Sequence, residues 1–284
     1  MGGAKKRPAL SASVFIVPPL AGFFVFFIGP FAAVLYYALV DRPGGAFVGA
    51  RNFVSLFQNP SYIRGLLNTL RFTGVSVPLN LIVPLVLALL IAGTGEARRR
   101  FVLVFLVPLV IPSGSVVFFW KSLLDRRGAL NGFLVSLGLP ALNWLDSDLV
   151  FPVMTAIFLW KNAGFNIVLY LAGLSGIPGE QYEAAAIDGA GRGRILRAVT
   201  LPGLAPVFVT ALIMSIVNSF KIFREVYLIA GAYPHRDAYT LQHFMNNMFV
   251  SLNYPRLSAA VLVLVFVIAV STQGLLGLER KFAP

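Results

Sequence analysis

Apolar residues along this chain are grouped into six long segments rather than spread in an alternating pattern. A helix needs about 20 mainly apolar residues to cross the hydrocarbon core of a bilayer. The sequence lacks the series of alternating ten-residue strands that a membrane β-barrel requires. Because a chain in lipid must satisfy its backbone hydrogen bonds internally, the pattern predicts an all-α integral membrane protein with six transmembrane helices. The predicted spans are residues 12–40, 69–93, 101–120, 149–174, 203–222 and 257–278.

The first three predicted spans carry most of the prolines that fall within apolar segments. Each proline removes a backbone donor and permits a kink. They are Pro18, Pro19, Pro30, Pro78, Pro84, Pro108 and Pro112. Together they suit a bundle that bends around a pathway. The first span is also too long for the apolar part of a cleaved signal peptide, so we expect it to be retained.

Composition agrees with a membrane protein. Charged residues make up 12% of the chain and hydrophobic residues 58%, with a mean hydropathy of +0.82. A soluble domain carries about 25% charged residues, so most of this surface must face lipid. The net charge of +12 does not indicate nucleic-acid binding, because the 25 phenylalanines lie in apolar segments and basic residues are expected beside spans. The absence of cysteine excludes disulfides and thiolate metal sites.

Basic residues predict the orientation of the chain. Of the 23 basic residues, 11 fall in the short segments that are cytoplasmic if the N-terminus is inside. These are Lys5, Lys6, Arg7, Arg98, Arg99, Arg100, Arg192, Arg194, Arg197, Arg280 and Lys281. Because basic residues near span ends are held on the cytoplasmic side, their density predicts an N-in, C-in topology.

One polar segment, "QYEAAAIDGAGRGRILRAVTLPG" at residues 181–203, interrupts the apolar pattern. Pro178 in a first turn, and Glu180 and Glu183 at the positive end of the dipole, predict a helix that Gly189 and Gly191 end. A second short helix is predicted over residues 192–200, ending before Pro202. The segment fits an interfacial helix on headgroups or a docking element for another protein. "GAGRG" at 189–193 is a weak nucleotide-binding pattern, because no strand precedes it.

The same segment resembles the EAA loop of permease subunits of bacterial ABC importers. The matching positions are Glu183, Ala184, Ala185, Gly189, Leu201 and Pro202, with Val199 where isoleucine is usual. Other stretches are similar to carbohydrate-importer permeases of the maltose and glycerol-3-phosphate types. They include "NFVSLF" at 52–57, "GALNGFLVSLGL" at 128–139, "LWKNAGFNIVLYLAGLSGIP" at 159–178 and "VNSFKIFREVYLIAGAYP" at 217–234.

This resemblance implies the type I ABC importer permease fold as a single transmembrane domain over residues 1–284 in the bacterial cytoplasmic membrane. The core permease would cover 69–278, the N-terminal span and first outer loop 1–68, and the EAA coupling loop 176–203. It assigns contact with an ATPase to Glu183, Ala184, Ala185, Ala186, Asp188, Gly189, Leu201 and Pro202. The implied partners are a second homologous permease, an ATPase dimer, an extracytoplasmic substrate-binding protein and a sugar.

The sequence agrees that this chain is not itself the ATPase. A P-loop requires a Gly-Lys pair, and none occurs in the chain. We therefore expect no catalytic residues and no cofactor here, with ATP and Mg²⁺ bound by the partner subunits. Alternatives are an importer of glycerol phosphodiesters or phosphate esters and, in a different class, an ion-coupled secondary transporter or channel. All 11 acidic residues are expected in loops or at span ends, which argues against ion coupling.

Polar side chains within the spans are candidates for a substrate pathway, because such groups are costly in lipid and tend to face a cavity. The candidates are Lys161, Asn162, Asn166, Asn218, Phe220 and Asn80. Lys161 lies about 18 Å along its helix from the outer end, near the middle of the bilayer. The alternative for the asparagines is interhelical hydrogen bonding. Arg71, Lys221 and Arg224 are expected to snorkel outward. His235 and His243 have no third ligand in view, so no metal site is expected.

Overall fold

The computed structural model describes residues 10–282, which divide into two compact units. One unit contains residues up to 59 and 248–267, and the other contains residues 60–247 and 268 onward. Within the described part, the chain is helical apart from turns and one isolated bridge between Val40 and Phe47. Lys5, Lys6 and Arg7, which contributed to the predicted orientation, lie outside the described residues.

The first unit begins with a long apolar helix in three parts. These are α1 (Leu10–Phe23), a π-helical turn (Phe24–Ile28) and α2 (Gly29–Ala38). None of the apolar window within Val14–Ala38 is buried, as expected for a helix whose neighbours are lipid. The helix α3 (Arg51–Phe57) follows, and Asn52 donates from Nδ2 to the carbonyls of Ala38 at 3.0 Å and Val40 at 2.7 Å. Asn52 thereby satisfies carbonyls that the end of α2 leaves open.

The second unit contains most of the remaining helices. They are α4 (Pro60–Ala92), α5 (Arg98–Val110), α6 (Ser113–Leu124), α7 (Ala129–Ser136), α8 (Val150–Gly176), α9 (Gly179–Ile187), α10 (Arg192–Ile195), α11 (Leu201–Gly203), α12 (Ala205–Phe220) and α13 (Phe223–Ala230). Short helical turns occupy Gly95–Ala97 and Leu196–Thr200. Two further helices, α14 (Leu241–Val250) and α15 (Tyr254–Phe282), complete the chain and contribute residues to both units.

The centre of the second unit is formed by α4, α8 and α12. Their buried side chains form one cluster, which includes Val77, Leu81, Ile167, Tyr170 and Ala211. Gly164 brings α8 close to α5, because a Cβ at this position would lie 1.9 Å from the carbonyl oxygen of Phe105. Such contact through glycine is how membrane helices approach closely. The bundle is therefore tightly packed along α8.

Four of the six predicted spans correspond to observed helices that can cross a bilayer. Four helices of the described chain are long and apolar enough to cross a bilayer, namely Val14–Ala38, Pro60–Ala92, Val150–Gly176 and Ala205–Ala230. A shorter apolar helix, Tyr254–Val270, lies within α15. The predicted third span, 101–120, was wrong as a single helix: the helical segments Gly95–Val110 and Gly114–Ser136, which contain α5 and most of α6, are bent by 97° relative to each other. Ile111, which precedes Pro112, takes an extended ψ of 127°, because proline disfavours the helical conformation of the residue before it.

The segment between α6 and α8 is organised by one buried asparagine in α7. Asn131 donates from Nδ2 to the carbonyls of Asp125 and Arg126, each at 3.2 Å, and of Leu142 at 2.9 Å. Its Oδ1 accepts from the Leu142 amide at 2.9 Å and from Trp144 Nε1 at 3.0 Å. The side chain is only 1% exposed. The side-chain amide of Asn131 therefore joins the segment that follows α6 to the segment that leads into α8.

Candidate functional site

A polar cavity of about 170 Å³ lies within the second unit, beside the middle of α8. Its apolar walls are Leu109 of α5, Phe158 of α8 and Ile222, which follows α12. Its polar lining comes from α8 and from the α12–α13 region and consists of Lys161, Asn162, Asn218, Lys221, Arg224 and Glu225. Three of the six pathway candidates, Lys161, Asn162 and Asn218, are thus brought together around one space.

Glu225 forms an ion pair with Lys161 across the cavity, from Oε1 to Nζ. Its side chain is 5% exposed, and that of Lys161 is 21% exposed. Every acidic residue was expected in a loop or at a span end; Glu225 lies five residues before the end of the apolar segment Ala205–Ala230, and its burial was not anticipated. The available signal was periodicity: Glu225 lies three residues after Ile222 and four before Ile229, and all three are buried.

A break between α12 and α13 directs side chains into the cavity. The helix relaxes into a turn in which the Lys221 amide donates to the Asn218 carbonyl at 3.0 Å. The Arg224 amide donates to the Lys221 carbonyl at 3.2 Å. Non-helical backbone at membrane depth is tolerated where it lines a cavity. Lys221 also donates from Nζ to Asn218 Oδ1 at 3.2 Å. Two of the three cations expected only to snorkel, Lys221 and Arg224, therefore line the same space as Lys161, whereas Arg71 is not among the lining residues.

Two other pathway candidates lie in a packing network instead. Asn166 donates from Nδ2 to the Asn80 carbonyl at 2.7 Å and to Ser215 Oγ at 3.1 Å, and Asn80 Nδ2 donates to Ser215 Oγ at 2.9 Å. All three are 1% exposed. They connect α8, α4 and α12, which is the alternative that the sequence left open for the asparagines. Phe220, the last residue of α12, is half-buried and is not among the residues that line the cavity.

The polar segment predicted to project from the bundle forms α9, which has no buried residue. Ile187 at its end is 86% exposed. The predicted role of Gly189 in ending the helix is confirmed, because Gly189 has a φ of +70°. The Gly189 amide donates to the Ala186 carbonyl at 3.0 Å and the Ala190 amide to the Ala185 carbonyl at 2.9 Å. This pair of bonds is a Schellman motif, which satisfies carbonyls at the helix end.

The flanks of α9 differ in detail from the sequence-based prediction. Pro178 precedes the helix at the N-cap position rather than occupying its first turn. The predicted break at Pro202 was wrong: Pro202 lies within α11, and the turn falls at Leu204, because proline is tolerated in a first helical turn. Tyr182 of α9 and Thr200 are joined by a hydrogen bond of 3.3 Å between their hydroxyls. This bond ties α9 to the segment that leads into α12.

The two histidines have different environments. His243 is fully buried against Phe223, with ring centroids 4.7 Å apart, and its Nδ1 accepts from the Thr240 amide at 3.1 Å. Burial lowers the pKa of His243 to about 4. His235 lies instead in a partly exposed cluster, so the two histidines do not form a common site.

Two carboxylates, those of Asp148 and Asp237, lie near His235, and the sequence alone did not predict that they would. Ligand atoms of Asp148, His235 and Asp237 lie within 4.8 Å of one another. Arg236 contacts both carboxylates, at 3.4 Å from Asp148 Oδ1 and 3.9 Å from Asp237 Oδ1. Because a guanidinium already compensates the acids, the arrangement forms an ion-pair cluster between the loop of His235 and the turn before α8.

An apolar helical bundle with a polar cavity beside the middle of a spanning helix is typical of multi-pass membrane transport proteins. More particularly, this chain belongs to the family described as binding-protein-dependent transport system inner membrane component, whose model matches residues 42–282. It is accordingly a multi-pass protein of the cytoplasmic membrane.

Similar proteins with assigned names are transport permeases. The chain is 31% identical to the arabinooligosaccharides transport system permease protein AraP of Bacillus subtilis, over 95% of this chain and 88% of that protein. It is 29% identical to the trehalose/maltose transport system permease protein MalF of Thermococcus litoralis, over 94% and 92% of the two chains. A chain from the crystal structure of a bacterial ABC transporter that imports the acidic polysaccharide alginate has the same fold, with a TM-score of 0.86, 23% identity and coverage of 97% and 96%.

Proposed function

We propose that this chain is a permease subunit of an ATP-driven, binding-protein-dependent importer that moves a sugar or oligosaccharide across the cytoplasmic membrane by alternating access. The observation that carries the proposal is the continuity between the cavity and the exposed polar segment. The polar side chains of the cavity lie on α8, at the end of α12, in the turn that follows and in α13, and the chain from α8 to α12 runs through α9. A displacement of α9 therefore acts on both walls of the cavity.

The length of α8 allows a displacement at its end to reach the cavity. Lys161 lies 15 residues before Gly176, the last residue of α8, which corresponds to about 22 Å along a rigid helix. On the α12 side of the polar segment, Gly203 lies close to Ile177: a Cβ on Gly203 would lie 2.8 Å from Ile177 Cδ1. The hydrogen bond between Tyr182 and Thr200 adds a second connection. The segment is therefore linked to the bundle as a stiff unit.

The energy would come from a partner. No P-loop occurs in this sequence, and α9 offers small exposed side chains at Ala184 and Ala186, with Glu183 in its middle and Asp188 directly after its last residue. We propose that α9 docks into an ATPase subunit, and that a second permease and an extracytoplasmic binding protein complete the importer. Six spans with both termini in the cytoplasm would place α9 on the ATPase side. ATP hydrolysis by the partners would then open and close the cavity to the two sides in turn.

Gly189 provides a direct test of this docking. The Gly189→Leu variant adds bulk at an exposed position of the segment, where no atom of this chain lies within 4 Å of the new Cβ. It also strains the backbone by about 1–2 kcal/mol, because φ is +70°. We expect membrane insertion to remain and both ATPase co-purification and uptake to be lost. Gly191→Ala, at a φ of −68°, is the matched control and should retain both.

A further variant separates strain from docking. Asparagine tolerates positive φ far better than leucine, so Gly189→Asn adds bulk with little strain. Loss of ATPase co-purification in both variants would support docking through this surface. Normal uptake by Gly189→Leu would contradict the proposed coupling. Uptake by the purified chain in liposomes that contain no ATPase subunit would instead favour an ion-coupled transporter.

A further inference from the structure

We infer that the cavity beside Lys161 accepts an anionic carbohydrate, one that carries a carboxylate, phosphate or sulfate group, rather than a neutral sugar. This inference rests on the proposed function and specifies the cargo of the same site. It is carried by the formal charges that line the cavity and by the way in which those charges are paired.

The lining contains more cations than it can neutralise. Three cationic side chains, Lys161, Lys221 and Arg224, face the cavity together with a single carboxylate, that of Glu225. Glu225 is engaged by Lys161. Among the described residues, neither Lys221 nor Arg224 forms an ion pair with a carboxylate. Two positive charges are therefore left over in a space that is partly walled by Leu109 and Phe158.

The positions of the two surplus cations suit one anionic group. Lys221 and Arg224 are three residues apart across the break between α12 and α13, and both side chains are exposed. Arginine presents a planar fork that binds carboxylate and phosphate oxygens through two parallel hydrogen bonds. Lysine adds a compact positive charge, and here the Lys221 ammonium is oriented by Asn218 Oδ1 at 3.2 Å.

A neutral sugar would not need this arrangement. Hydroxyl groups are satisfied by uncharged partners such as the side chains of Asn162 and Asn218, which line the same cavity. Placing cations within an apolar span is unfavourable, so such residues tend to mark a pathway for a ligand that compensates them. An anionic group on the cargo would supply that compensation.

The test uses the complete transporter, reconstituted in proteoliposomes with its partner permease, ATPase subunits and binding protein. Uptake is measured for two neutral probes, maltotetraose and cellotetraose, and for anionic probes, tetragalacturonate, tetramannuronate and glycerol 3-phosphate. Lys221→Gln and Arg224→Gln remove one surplus charge each, and Arg224→Lys keeps the charge but not the fork. Lys121→Gln, at an exposed cation of α6 outside the cavity, is the matched control.

We expect ATP-dependent uptake of at least one anionic probe. Lys221→Gln and Arg224→Gln should each raise its KM about tenfold or more, Arg224→Lys should raise it less, and Lys121→Gln should leave it within about twofold. Uptake of neutral probes only, or an unchanged KM for the anionic probe in both glutamine variants, would overturn the inference while leaving the importer function intact. If no carbohydrate were taken up in an ATP-dependent manner, the proposed function itself would fail.

Discussion

The ion pair between Lys161 and Glu225 gives the sharpest test of how the cavity is held together. Lys161→Met and Glu225→Gln each remove one partner while keeping a side chain of similar size. Removing one partner of a buried pair typically destabilises a protein by about 3–5 kcal/mol, because the other charge loses its compensation. The two side chains here differ in exposure, 21% for Lys161 and 5% for Glu225, so the two variants are not expected to behave alike.

The exposures set the expected magnitudes. In Lys161→Met, the carboxylate of Glu225 stays buried without this cation, and we expect a loss of about 3–4 kcal/mol in the free energy of unfolding. In Glu225→Gln, the ammonium of Lys161 can be hydrated from the cavity, and the loss should be about 1–2 kcal/mol. The double variant should be less destabilised than the sum of the two by about 1–3 kcal/mol, because its second substitution removes a charge that is no longer compensated.

The free energy of unfolding would be measured for the four proteins in mixed micelles, by titration with SDS followed by circular dichroism. Lys221→Met serves as control, because Lys221 is exposed and pairs with no carboxylate of the described chain; it should change stability by about 0.5 kcal/mol or less. Additive effects of the two single substitutions would refute the reasoning. A larger loss for Glu225→Gln than for Lys161→Met would contradict the argument from exposure.

Three further substitutions test the packing described above. Burial lowers the pKa of His243 to about 4, so the unfolded chain binds more protons than the folded chain between pH 6.5 and 4. Stability should therefore fall by up to about 3 kcal/mol as pH drops through this window. Thermal melts should show a much weaker pH dependence in His243→Asn, and an equal dependence of the melting temperature on pH in the two proteins would be evidence against the effect. Gly164→Ala forces α8 away from Phe105 and should destabilise the bundle by about 1–3 kcal/mol. The control Gly74→Ala, with open space around its Cβ, should not be destabilised, and similar SDS unfolding curves for the two variants would contradict the close approach of α8 to α5. Asn166→Leu removes interhelical hydrogen bonds, which are worth about 0.6 kcal/mol on average in membranes. The variant should retain uptake if this side chain serves only in helix packing, and loss of uptake by a folded variant would place Asn166 on the pathway.

Sequence patterns predicted the helices well where the length and hydropathy of a segment determine whether it can span the membrane. The fourth span, expected over 149–174, is observed as Val150–Gly176, and the cap at Gly189 followed from glycine's access to positive φ. The bend between α5 and α6 could be anticipated in kind from Pro108 and Pro112, but not in size. Its angle of 97° depends on what the two helices pack against.

The roles of polar residues within the spans were beyond the reach of one sequence. Asn162 and Asn166 are one helical turn apart on α8, yet the first lines the cavity and the second lies in a buried network with Asn80. Their chemistry is the same, and only the neighbouring helices distinguish them. Glu225 was missed for a related reason, since the hydropathy pattern ends the span at 222 while tertiary packing extends its buried face to Ile229.

The buried amide of Asn131 has a consequence for how this protein responds to its surroundings. It closes the chain between Asp125 and Trp144 much as a disulfide closes a loop, in a protein that has no cysteine. A closure made of hydrogen bonds has no redox chemistry, so reductants and oxidants leave it intact. Heat acts on all of its bonds together, and the connection between α6 and α8 should therefore loosen as one cooperative unit, at the same temperature in oxidising and reducing buffers.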